Sequence, residues 1–472
     1  MKLKYIPLLL VLFACKKSFL EIDPKGKLVA KTVNDYDLLL NNNDFLNTGG
    51  ANAQVFLGDE VAAAEPYFAT SEPRTQRLFQ WEPVVYEPQE DAAETSALLR
   101  QLYVYNKIIN EIGDAGNGTE ARKNAIRAEA RAGRAWVYFQ LINYFGKPYN
   151  PASAASDPGF PVIKAADVTA TQFNRAPVQE VYDFIIDDLV TAIPDLPVQT
   201  SYRLRMAKPA AEALLGKVYM FMGQFDKALP LLDDALDHLQ SASISIQLID
   251  YNTAFAPGGM FLPISFFGPT TPVIGDDPET IYARQFSNFW ITSSELVINP
   301  ATVALFGASD LRLNFYANTP FPIGPEYPAG LLRRTGPLTT SYGVVLPDVI
   351  LLRAECRART NDLAGAVADV ESLRLKRMPA ADAPVPAEAS ATQKKMIEYI
   401  LDERIREFAS QGVRWYDMRR LSVDPLFANI QYSHTVYAED GTPRTIDMPA
   451  ERLVLKMPPK IMNENPGMED NQ

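Results

Sequence analysis

Six segments in which apolar residues return every three to four positions, near residues 95–113, 119–145, 176–192, 206–240, 347–378 and 392–420, constrain this 472-residue chain most. That period collects apolar side chains on one face of a helix, whereas a half-buried strand needs strict alternation. Strand-like alternation is sparse, so the expected fold class is all-α. Between the helical segments lie three long stretches rich in proline, glycine and aromatic residues, at 49–91, 146–175 and 241–343. Connections of this length are uncommon inside a compact protein and are usually functional. The expectation is a helical frame that carries elaborate loops.

Two of the helical segments show an internal repeat. Leu215-Gly216, Tyr219, Gly223, Ala228, Leu232 and Ala235 fall at the spacing of a tetratricopeptide repeat, in which small residues let two antiparallel helices approach closely. Residues 351–377 repeat the pattern more weakly, with Ala354, Asn361 and Ala366 in the places of Gly216, Gly223 and Ala228. The segments 206–240 and 347–378 are therefore expected as tetratricopeptide-like helix pairs, an architecture that by itself implies a scaffold and no chemistry.

The amino terminus has the form of an export signal. Lys2 and Lys4 precede the apolar run Tyr5 to Ala14, which is too short to cross a hydrocarbon layer of roughly 30 Å as a helix. The run ends at Leu12-Phe13-Ala14-Cys15, which resembles the lipobox of bacterial lipoproteins, with a larger residue at Phe13 than is usual there. Residues 1–14 are expected to be removed as a signal peptide and Cys15 to be acylated, leaving 15–472 as a single helical domain. Each buried acyl carbon contributes about 0.8 kcal/mol, and stable anchoring takes more than one chain. No later stretch offers a membrane-spanning run of apolar residues.

Composition narrows the partners. The formal charge of −12 becomes −14 once Lys2 and Lys4 are removed, and so acidic a chain is a poor match for nucleic acid, which rewards clustered lysine and arginine. Without Cys15 only Cys356 remains, so no intramolecular disulfide forms; its helical apolar setting predicts a buried, inert thiol. His238 and His434 are the only histidines, which excludes a histidine-rich zinc site. His238 falls on the outer side of its helix by pattern, and His434 sits in a polar tail segment without a motif. Asp276, Asp277 and Glu279 lack the spacing of a calcium loop and are expected as a solvated turn. No nucleotide-binding glycine loop or nucleophile-elbow motif occurs. The expectation is a protein that is not an enzyme and needs no metal or cofactor, although 57 acidic residues always supply candidate carboxylate pairs.

The carboxy-terminal third carries the most specific pattern. Ile397, Leu401, Ile405 and Phe408 form one apolar face, and Gly412 ends that helix before a second begins near Arg414. Around them stand Glu403-Arg404, Glu407, Gly412, Arg414-Trp415, Asp417 and Arg419-Arg420. These charges are spaced for interhelix pairing rather than for catalysis. The set resembles the E-R-x-x-E, E-G-x-R-W-x-D-L-x-R signature of the SusD/RagB family, with Gln411 and Met418 replacing the usual glutamate and leucine. Further along the chain Phe19-Leu20-Glu21 and Pro24, Ala132-Gly133-Arg134-Ala135-Trp136 with Tyr138-Phe139, Asp187-Asp188-Leu189, Lys208 with Ala210-Ala211, and Asn465-Pro466-Gly467 are similar to family motifs in the same order.

That resemblance implies an all-α outer-membrane lipoprotein exposed at the cell surface, whose loops bind a nutrient and pass it to a SusC-like TonB-dependent transporter. The ligand it implies is an oligosaccharide, with peptides as the alternative on the same fold; an envelope scaffold and a secreted glycoside hydrolase are the rivals from other classes. Aromatic residues of the loops favour a sugar, whose C–H faces stack on flat rings that lose little entropy when held. Tyr67, Phe68, Trp81 and Tyr86 occur in the first long loop, and Phe286, Phe289, Trp290 and Tyr327 in the third. Trp81, Trp290, Tyr67, Tyr86 and Phe289 are the candidate ligand-binding residues, with the two tryptophans foremost. The apolar run Met260 to Phe267 is either a partner-facing surface or part of the core.

Overall fold

The computed structural model describes residues 30–471 other than 289 and 428. The signal segment 1–14, Cys15 and the motif at 19–24 lie outside the described residues, as does Phe289. Among the described residues nine of the longer helices form the frame: α1 (Ala93–Glu111), α2 (Glu120–Phe145), α3 (Val178–Ala192), α4 (Lys208–Phe221), α5 (Phe225–Gln240), α6 (Leu346–Arg359), α7 (Leu363–Arg374), α8 (Gln393–Phe408) and α9 (Val413–Leu421). The long periodic segments thus become helices, and three of them divide into helix pairs. Each division falls on a residue in the left-handed region, Gly223 (φ 72°), Asn361 (φ 68°) and Gly412 (φ 82°). Side-chain caps start several helices, with Thr119 accepting from the Arg122 N–H, Asp362 from Gly365 and Thr392 from Lys395.

Small residues set how closely the helices approach. A Cβ on Gly216 would lie 2.9 Å from the Leu232 side chain, so α4 and α5 meet backbone to side chain over Ala228, Leu232 and Ala235, all fully buried. Gly133 does the same for α1 against α2, where a Cβ would come within 2.4 Å of the Tyr105 ring. In the second pair Ala354 of α6 shares a core cluster with Ala366 and Val370 of α7. Cys356 is buried in the main core and burial pushes its thiol well above the usual range, as expected of an inert cysteine.

The frame is not purely helical. A four-stranded sheet runs in the order Pro443–Asp447, Ser433–Tyr437, Val61–Ala64, Leu296–Ile298. Val61–Ala64 pairs antiparallel with Leu296–Ile298 (Val61 opposite Ile298) and parallel with Ser433–Tyr437 (Ala63 opposite Val436). The sheet therefore stitches the first long loop, the third and the chain's last quarter together. His434, expected in a polar tail, is fully buried on this sheet, and the rings of Phe79 and Trp81 stack on its two sides at 4.2 and 3.8 Å. Its ring nitrogens meet the Phe79 and Gly58 carbonyls, and burial holds its pKa below the usual range.

The charged residues of the last third form a buried lattice. Arg404 bridges Asp348 at 2.8 Å and Asp417 at 2.7 Å, and Arg420 reaches both Asp417 and Glu355. Glu403 receives Arg312, Arg374 and Arg406. The expected pairing between helices is present, and it extends into the loops: Arg312 of the third loop reaches Glu403 and Glu407, and Arg414 reaches Asp59 in the first. His238, read as an outward side chain, instead turns toward α4 and meets Glu212 at 2.8 Å.

Candidate ligand-binding surface

The run Met260 to Phe267 divides between core and surface. Phe261 is buried against Ile249, Ala254 and Phe315. Ser265 and Gly268 then bond to each other twice, N–H to carbonyl at 3.0 and 2.8 Å, which closes a two-residue turn with Phe266 and Phe267 at its tip. Gly268 takes φ 98°, which a side chain would resist. Phe266 is 57% exposed and Phe267 44%, and both rings gather on Phe321, at 5.7 and 5.3 Å. Ile323, two residues further on, is 90% exposed. Isolated apolar side chains on a surface need no explanation, whereas a contiguous aromatic patch on a turn tip is a candidate binding surface.

Other loops converge on this patch. The Phe321 N–H donates to Ser294 Oγ at 2.7 Å and the Tyr327 hydroxyl donates to the Ser294 carbonyl at 3.0 Å. Tyr67, half-buried, meets Tyr327 edge to face at 6.2 Å. Ser294 directly follows the short helix Trp290–Ser293, so Trp290 and Tyr67 belong to the same neighbourhood, although the Trp290 side chain lies outside what the structure describes.

Two candidate residues fall elsewhere. Trp81 is 2% exposed, stacked on His434 with its indole N–H donated to the Leu57 carbonyl at 3.3 Å. Tyr86 is equally buried and donates its hydroxyl to Glu94 at 2.9 Å. These rings build the core under the first loop and have no face left for a ligand. Phe68 and Phe286 are buried as well.

Beside the patch opens a cleft of about 180 Å³ that the sequence reading did not foresee. Tyr251, Phe261 and Phe315 form an aromatic wall, with ring centroids 5.1 to 5.8 Å apart. Thr339, Tyr342 and the corner between α8 and α9, including Glu407, Gln411 and Gly412, also line the cleft. Gly412 is required there twice over, by its positive φ and because a Cβ would lie 2.4 Å from Gln54. Phe267 ties cleft to patch, since its carbonyl packs against Gly336, next to the cleft-lining Pro337.

The charged groups of the cleft are mostly paired. Glu279, expected on a solvated turn, accepts from Arg377 at 2.8 Å and from the Ile249 N–H at 2.9 Å; burial pushes its carboxyl up to about 7. Glu407 is just as buried, yet Arg377 and Arg312 hold it below the usual carboxylate range. Asp277 accepts the Glu279 N–H, and Asp276 remains exposed. Among the described residues no three histidine, cysteine or carboxylate groups assemble as a metal site. Tyr251, Phe315, Phe321 and Arg334 were missed by sequence reasoning, and the only available signal was aromatic density in the third loop.

A family model described as starch-binding associating with outer membrane matches residues 19–220, and a second, described as the SusD family, matches residues 346–472. The chain belongs to the SusD/RagB family. It is similar to SusD-like protein P2 of Formosa agariphila, 25% identical over 391 residues that cover 71% of this chain and 73% of that one. Its fold is shared with a SusD superfamily protein of Bacteroides thetaiotaomicron, at TM-score 0.72 and 17% identity over 93% of this chain and 100% of the other. A SusD-like carbohydrate binding protein of Bacteroides vulgatus superposes at TM-score 0.65 and 15% identity, covering 93% and 99%. No helix among the described residues is long and apolar enough to cross a membrane.

Proposed function

We propose that this chain is a cell-surface lipoprotein, anchored through Cys15, that binds an oligosaccharide with its loops and delivers it to a SusC-like TonB-dependent transporter. The observation that carries this reading is the aromatic turn tip of Phe266 and Phe267, gathered with Phe321 beside a cleft walled by Tyr251 and Phe315. Exposed rings next to a cleft with hydroxyl, amide and guanidinium groups suit a sugar, which offers C–H faces to the rings and hydroxyls to the polar groups. Tyr67 joins this surface in the proposal, and Trp290 and Phe289 remain candidates by their place in the sequence of the third loop. The helix pairs α4–α5 and α6–α7, close-packed at Gly216 and Ala354, serve as tetratricopeptide-like supports and do no chemistry. Family membership favours binding over turnover.

Calorimetry of the purified protein against a panel of oligosaccharides and peptides tests the proposal. An oligosaccharide is expected to bind and to be recovered intact after long incubation. Truncation of Phe266 and Phe267 to alanine together is expected to weaken it about tenfold or more without lowering Tm, because both rings are exposed and stacking contacts contribute on the order of 1 kcal/mol each. Binding of peptides alone, or release of shortened sugars, overturns it.

A further inference from the structure

Arg334 is the cleft's uncommitted charge. It stands opposite Tyr316 on a short strand pair, and its guanidinium lies over the Phe315 and Tyr316 rings at 5.5 and 5.6 Å. Its one hydrogen bond among the described residues runs from Nη1 to the Tyr316 hydroxyl at 3.2 Å, and no carboxylate pairs with it. Nε is shielded from solvent without a partner, whereas Nη2 is neither shielded nor bonded. The edge left for a ligand is therefore the Nη1–Nη2 fork, a planar pair of donors that matches the two oxygens of a carboxylate.

The other cations lining the cleft are spoken for. Lys217 is held by Asp348. Arg312 and Arg406, with Arg374 and Arg377 behind them, form one connected set with Asp310, Glu279, Glu403 and Glu407, four cations against four anions. That set is neutral when all are ionised and does not compete for a ligand's charge. Asp277 is engaged by the Glu279 N–H and feels Arg203 and Arg377. Beside Arg334 the wall supplies the Tyr251 ring, and Thr339 adds a hydroxyl.

From this geometry we infer that the cleft selects an acidic oligosaccharide, with the carboxylate of a uronate residue seated on the Arg334 fork and its sugar ring against the aromatic wall. The inference rests on the proposed glycan-binding function and names the ligand's class. Its test compares uronate oligosaccharides (galacturonate, glucuronate and mannuronate series) with the same chains after reduction of their carboxyl groups to neutral alcohols, using the full mature protein. At least one uronate series is expected to bind about tenfold or more tightly than its neutral counterpart, since a charge-assisted bidentate contact is lost on reduction. Raised salt is expected to weaken the uronate and spare the neutral sugar.

Arg334→Gln is expected to erase the preference, while Arg334→Lys keeps part of the attraction and loses the fork. Thermal melts of both variants show whether they fold, and the salt dependence of the wild type reports on the charge without any substitution. Equal affinity for charged and neutral chains, or a preference that survives Arg334→Gln, overturns the inference and leaves the glycan-binding proposal intact. Absence of any sugar binding alongside peptide binding overturns both.

Discussion

Trp81 sits in a proline-punctuated loop, and its large ring fills a stack with His434 and Phe79 that the local sequence does not announce. Truncating it to alanine opens a cavity in that stack and is expected to destabilise the fold by about 3–5 kcal/mol, read from chemical unfolding, with affinity for any bound sugar unchanged among the folded molecules. Glu60 is a second buried residue with a measurable signature. It is fully buried, Oε2 has no hydrogen-bond partner, and burial with the neighbouring Asp59 charge pushes its carboxyl from 4.5 up to about 8. The folded chain keeps this proton between those two values while the unfolded chain releases it, so the contribution of Glu60 turns progressively destabilising as pH rises through the window. Glu60→Gln is expected to raise Tm relative to wild type at about pH 8 and to leave it nearly unchanged at about pH 5; an equal shift at both pH values contradicts this account. Cys356 and the charges of α8 and α9 were legible because helical spacing places them. Trp81 and Tyr86 were not, because their burial depends on His434 and Glu94, partners that only the fold brings near.

At the scale of elements, periodicity located the frame and left-handed residues located its corners. Two of those corners lie at Gly223 and Asn361, asparagine being the residue that best stands in for glycine at a positive φ. The sheet was not readable: its strands are three to five residues long, and Val61–Ala64 is buried on both faces, so it shows no alternation. The corner of α8 and α9 is held by charge as much as by packing. Asp417 accepts from Arg404 and Arg420, which hold its carboxyl far below the usual range against the opposing effect of burial. Asp417→Ala leaves two buried guanidinium groups short of a partner and is expected to cost about 3–5 kcal/mol. Glu355, between Arg359 and Arg420, is lowered from 4.5 to about 2. For both carboxylates the stabilisation is complete above the ordinary carboxylate range and is lost as pH falls through the lowered value. Acid unfolding followed by circular dichroism should therefore set in below about pH 4.5 in the wild type and at higher pH in Asp417→Ala. Coincident acid transitions would remove Asp417 from the lattice that resists acid.

Over the whole molecule, contacts distant in sequence hold the loops against the frame and fix which face they form. Arg414 pairs with Asp59, Tyr342 links to Tyr416, and Asn471 donates to the carbonyls of Phe145 and Leu455, so the last residues clasp the end of α2. None of these is local, which is why the frame could be read from the sequence while the candidate surface of Phe266, Phe267 and Phe321 and the cleft lined by Arg334 could not. The proposed membrane anchor belongs to this scale too. The described fold begins at Ala30, which joins the main core. Cys15→Ala is accordingly expected to release the protein from the outer-membrane fraction with its Tm and sugar affinity unchanged, and labelled fatty acid should enter the wild type alone. A variant that stays with the membrane, beside a wild type that takes up no fatty acid, would show that attachment runs through the folded surface instead of the amino-terminal anchor.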